Sequence, residues 1–158
     1  MSSHKIPLST IIHENFSIVM TYAFSQPALS KMLKKCFMGE WKYLCKACFD
    51  TSETRANRAL IELAILLRLL DDKESLNEYF KSVKQKPIGK FIKQNDTEKP
   101  LFFRDMTNKI VHSSGLKWEF SDSDNPILIC LCNDLKSEWK RAEISMIDFA
   151  YYCGGFMA

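Results

Sequence analysis

The chain has 158 residues, 46% of them hydrophobic and 26% charged, and its 22 basic and 19 acidic residues leave a formal net charge of +3. This is the composition of a globular domain, and its charge is too mild to announce a nucleic-acid-binding surface. Lysine supplies most of the positive charge, whereas arginine, the residue favoured for bidentate phosphate grips, is scarce. No run reaches the roughly 18 apolar residues of a membrane span. No secretory signal is read at the start: Met1 to Pro7 is polar, and His13, Glu14 and Asn15 interrupt the first apolar segment. Six cysteines without an export signal point to a reducing cytoplasm and free thiols.

In chain order, Ser9 or Thr10 caps a first helix running to about residue 24, with Ile12, Phe16, Val19 and Ala23 as its core stripe. Ser25-Gln26-Pro27 reads as a break, and Pro27 restarts a second helix over about 27–38, stopped by Gly39. Trp41, Leu44, Cys45, Cys48 and Phe49 repeat at helical spacing. The segment 53–70 is apolar on nearly every side, which predicts a helix central to a bundle. Asp71-Asp72 ends or bends it, and Leu76, Tyr79, Phe80 and Val83 continue an amphipathic helix. Residues 84–100 are lysine-rich and contain Pro87 and Gly89; they read as a mobile connection anchored by Ile88, Phe91 and Ile92. A helix over 101–112 follows, with Pro100 at its start.

The period then changes. Leu116 to Phe120 alternates apolar and polar, Ser121 to Pro126 is a turn cluster, and Ile127 to Cys132 is a short apolar run. These predict one β-hairpin. A last helix is expected over about 135–153, with Trp139, Ala142, Met146, Ile147, Ala150 and Cys153 as its stripe and Gly154-Gly155 as its stop. The expected fold is mainly α: one domain over 1–158, a bundle of roughly six or seven helices around the 53–70 helix, with a single late β-hairpin at about 116–132.

Arg104, Asn108 and His112 step along one stripe of the 101–112 helix at i, i+4 and i+8, opposite Phe102, Met106 and Ile110. An imidazole moves a proton near neutral pH and a guanidinium stabilises charge developing on phosphorus, so such a face suits metal-free RNA cleavage. Arg104-Asp105 followed by His112 resembles the motif of HEPN-type helical domains, with a longer interval between arginine and histidine than that family usually has. The resemblance implies a dimeric ribonuclease in which Arg104 binds the scissile phosphate, His112 serves as general acid or base and Asn108 orients the backbone. The same residues also fit a structural role: His112 complements a helix C-terminus, Arg104 and Asp105 pair on the surface, and Asn108 holds a loop.

Cys45-Lys46-Ala47-Cys48 and Cys130-Leu131-Cys132 have thiol spacings that zinc sites use. The first pair lies in a helical apolar stripe and the second alternates toward one strand face, so core thiols are expected, with no metal or cofactor. Lysines cluster at Lys31, Lys34, Lys35, Lys42 and Lys46 and again at Lys81, Lys84, Lys86, Lys90 and Lys93. They read as solvated faces, or as a basic groove for RNA or an acidic protein surface. There is no glycine-rich phosphate loop, HExxH, GxSxG or dinucleotide fingerprint. These features favour a small cytoplasmic protein that binds and blocks a partner protein, as bacterial toxin-neutralising immunity proteins do. Asp122 and Asp124 in the 121–125 turn would then meet a basic nuclease face. The alternative is a HEPN-like ribonuclease or an inactive RNA-binding relative.

Overall fold

Helix α1 (Leu8–Cys36) runs without interruption through Pro27. A proline inside a helix deprives the carbonyl four residues earlier of its donor. Here tertiary contacts outweigh that loss. The neighbouring Gln26 is buried and donates through Nε2 to the Cys48 carbonyl at 3.1 Å, while Leu33 further along α1 is buried as well. This structure, a computed structural model, describes residues 6–37 and 42–157. The expectations placed on Gly39 and Trp41 lie outside the described residues.

A short helix α2 (Lys42–Cys45) leads through a π-helical stretch (Lys46–Thr51) into α3 (Ser52–Glu74). Ser75 adopts a left-handed conformation (φ 54°) and turns the chain into α4 (Leu76–Ser82). Lys84, also left-handed at φ 51°, ends α4, with the Gln85 N–H donating to the Phe80 carbonyl at 3.0 Å across the closing turn.

The expected helical bundle with one late hairpin is overturned. Strands β1 (Gly89–Lys93), β2 (Glu98–Leu101), β3 (Gly115–Glu119), β4 (Ile127–Leu131) and β5 (Trp139–Ser145) form a five-stranded antiparallel sheet in the order β2-β1-β5-β4-β3. The fold is α+β. β3 and β4 do pair, from Gly115 opposite Leu131 to Glu119 opposite Ile127, but as one flank of this larger sheet. The segment read as a mobile connection forms the other flank. Its turn is closed by the Lys93 N–H donating to the Thr97 carbonyl at 2.9 Å, with Asp96 left-handed at φ 66°. Pro100 belongs to the edge strand β2, a position where a missing N–H is tolerated, and not to a helix start. Gly89 is required by crowding: a Cβ there would lie 1.9 Å from the Glu143 carbonyl oxygen of β5.

Helix α5 (Phe103–Val111) connects the two flanks, and α6 (Met146–Met157) follows β5 directly and continues through Gly154 and Gly155. One contiguous core joins Ile12 and Val19 of α1, Leu63 of α3, Met106 of α5, Leu128 and Ile144 of the sheet, and Phe149 of α6. The opposite face of the sheet carries charge along β2, β1 and β5, beside Ile127, Ile129 and Leu131 of β4. Lys90 pairs there with Glu98 at 2.8 Å and Glu143 at 3.8 Å, and Arg141 with Glu143 at 2.9 Å. An antiparallel sheet can leave one face to solvent in this way.

Candidate functional site

The two ends of α4 carry the two most distinctive regions of the molecule. At its N-terminal end, Arg104 from α5 reaches across to the end of α3. Its Nη1 lies 3.0 Å from Asp71 Oδ2 and 2.7 Å from Asp72 Oδ1. Asp71 is only 9% exposed, and its other oxygen accepts the Asn77 N–H at 2.7 Å. The Asn77 side chain in turn accepts the Arg104 backbone N–H at 3.3 Å. The bond to Asp72, helped by the one to Asp71, holds the guanidinium above the usual arginine range, so it stays charged. The result is a closed polar corner joining α3, α4 and α5.

The rest of the expected catalytic stripe does not converge on this corner. His112 is exposed and ends α5, its N–H donating to the Asn108 carbonyl at 2.9 Å. Eight residues of helix rise about 12 Å, which puts His112 at the far end from Arg104. Asn108 is half-buried between them, and neither the Asn108 nor the His112 side chain hydrogen-bonds to the described residues. Asp122 and Asp124 are exposed in the turn before β4, where Asp122 Oδ1 accepts the Asp124 N–H at 3.0 Å.

Cys45 is exposed and Cys48 half-buried, whereas Cys130 is buried on β4 and its thiol is pushed up to about 12 by that burial. No group of three or more His, Cys, Asp or Glu side chains placed to hold a metal ion occurs among the described residues. Lys109 of α5 is drawn inward. Its Nζ lies 4.7 Å from the ring centres of both Phe91 and Trp139, and burial lowers its pKa.

The C-terminal end of α4 opens onto a groove of about 620 Å³. Its walls are Tyr79 and Val83 of α4, Ile147 and Tyr151 of α6, and Phe24 of α1. These five side chains are between 41% and 74% exposed. Ala150, Gly154 and Gly155 leave one side of the groove low; nothing lies within 4 Å of where a Cβ on either glycine would be. Two adjoining depressions share Phe80, Gln85 and Tyr151 with the groove and add Lys81, Lys84 and Lys86. Lys84 and Lys86 have no carboxylate partner among the described residues, while Lys81 makes an exposed pair with Glu78 at 3.4 Å.

Sequence reasoning missed this groove. Its signal lay in α6, where Ile147, Ala150, Tyr151 and Gly154 follow helical spacing on one face, while Met146, Phe149, Tyr152 and Cys153 are buried on another. A helix apolar on two faces needs cover on both. No helix among the described residues is long and apolar enough to cross a membrane. No family model, curated protein or solved structure matches the chain.

Proposed function

We propose that this is a cytoplasmic protein-binding module that captures a partner protein through the α4–α6 groove and blocks it, in the manner of a toxin-neutralising immunity protein. The observation that carries this reading is the groove itself. Five large apolar side chains stand exposed around one concavity, on a molecule whose Arg104 guanidinium is engaged by Asp71 and Asp72. Contiguous exposed apolar surface of this kind costs free energy in water, and aromatic anchors rimmed by charge are the usual core of a protein interface.

The groove's chemistry selects the partner. The low strip of Ala150 and Gly154 admits a helix at close range, and Tyr79, Tyr151 and Ile147 suit apolar side chains at i, i+3, i+4 and i+7. Lys84 and Lys86, which outnumber the neighbouring Asp148 on the rim, favour acidic residues beside that apolar face. The partner element is therefore an acidic amphipathic helix.

The ribonuclease alternative through Arg104, Asn108 and His112 has less support, because a phosphate would have to compete with Asp71 and Asp72 for the guanidinium. Fluorescence anisotropy with designed amphipathic helical peptides tests the proposal. The acidic peptide is expected to bind, its basic counterpart not to bind, and Tyr151→Ser with Val83→Asp to abolish binding. Absence of binding by the acidic peptide, or unchanged binding by the double variant, would overturn it. Single-stranded RNA incubated with wild type and His112→Ala is expected to stay intact in both.

A further inference from the structure

The second unpartnered surface is on α3. Its inner face is buried through Ala56, Leu60, Leu63 and Leu67, but Ile61, Ile65 and Leu69 are exposed, Ile65 at 44%. At about 100° per residue, these three fall within an arc of about 80°, one above the next. The sequence is apolar around almost the whole of this helix, and within one copy the fold buries only the inner side. Three large aliphatic side chains aligned on a solvent face form a seam that needs a second helix.

The charges on this arc indicate which helix. Arg58 and Asp72 lie in the same arc, equally far from Ile65 along the chain and opposite in sign. Two copies of α3 laid antiparallel about a two-fold axis at Ile65 bring Ile65 against its own counterpart and Ile61 against Leu69. The same operation brings Arg58 against Asp72 of the other copy, twice. A two-fold interface must be complementary to itself, and this pattern is. Both charges already have a partner within one copy, and neither is fully used by it. Arg58 makes an exposed pair with Glu62 at 3.3 Å, and Asp72 uses only Oδ1 toward Arg104.

We infer that α3 is the interface of a homodimer, formed by antiparallel packing of the Ile61–Ile65–Leu69 seam against the same seam of a second copy. This inference is independent of the α4–α6 groove. A single helix–helix seam lies at the small end of specific interfaces, so the dimer is a concentration-dependent one.

Sedimentation velocity from low micromolar to several hundred micromolar protein tests it. The wild type is expected to pass from monomer to dimer within that range, and Ile65→Glu to remain monomeric at every concentration while keeping the wild-type circular dichroism spectrum. Charge exchange provides the second readout. Arg58→Asp alone and Asp72→Arg alone each place like charges at both contacts and should raise the dissociation constant at least tenfold. A mixture of the two variants restores opposite charges at both contacts and should form the heterodimer. A wild type monomeric throughout, an Ile65→Glu variant that still dimerises, or a mixture no better than its components would overturn the proposal.

Discussion

The corner at one end of α4 and the groove at the other differ in a way that governs how the whole chain is read. At the corner, every conspicuous polar group has an internal partner: Arg104 on Asp71 and Asp72, Asp71 on the Asn77 N–H, and the Asn77 side chain on the Arg104 N–H. At the groove, Phe24, Tyr79, Val83, Ile147 and Tyr151 keep between 41% and 74% of their surface in water. Residue types associated with chemistry are here consumed in holding three helices together, while residue types associated with a core are left outside. In this molecule, function is to be sought where the packing is unfinished.

Substitutions at the two ends should therefore separate stability from binding. The largest effect is expected at the corner. Arg104→Ala leaves the nearly buried Asp71 carboxylate without its cation. Breaking a buried pair costs about 3–5 kcal/mol, which falls to about 2 kcal/mol here because the Arg104 side chain is 30% exposed. Urea denaturation would measure that loss, with peptide binding at the groove unchanged in the folded fraction. Next, away from both ends, comes Asn57→Ala, which removes the acceptor of the Trp118 indole N–H at 2.7 Å and should cost about 1–2 kcal/mol.

Asp72→Ala should cost less than about 1 kcal/mol, since Asp72 is 60% exposed and Arg104 keeps Asp71. Tyr151→Ser should shift stability by no more than about 0.5 kcal/mol and still weaken binding of the acidic peptide at least tenfold. A groove variant that unfolded the protein, or a corner variant that abolished binding without destabilising it, would reverse the contrast. Thiol chemistry sharpens it without substitution. Near pH 8 the exposed Cys36 and Cys45 should alkylate readily, and the buried Cys130 and Cys153, whose thiols burial pushes upward, only as fast as the fold opens.

The helices were largely legible in the sequence because their buried faces repeat at helical spacing, as Leu60, Leu63 and Leu67 do on α3. The β3–β4 pair was legible because Leu116 to Phe120 alternates. β5 was not, and the cause is local. Pairing with β1 shifts register between Ile92, opposite Arg141, and Lys93, opposite Trp139. This bulge puts Trp139 on the buried side with Ala142, three residues away, which imitates a helical repeat. The strands β1 and β2 were hidden by the lysines and glutamates that make their outer face, and by a turn in which Asp96, not a glycine, takes the left-handed position.

The stripe Arg104–Asn108–His112 was visible as a pattern. That Arg104 is held by Asp71 and Asp72 was not, because those contacts join residues 32 and 33 positions apart. The groove stayed hidden for a related reason. Phe24, Tyr79 and Tyr151 meet only once α1, α4 and α6 have assembled.

The strand order has a consequence for folding. β5 is the centre of the sheet, yet it follows the four strands it joins in the chain. Until β5 inserts, the β1–β2 and β3–β4 hairpins have no common neighbour, and each presents an open edge that β5 will later occupy. Open strand edges are templates for wrong pairing, so a folding intermediate with β5 undocked is the most aggregation-prone species of this chain.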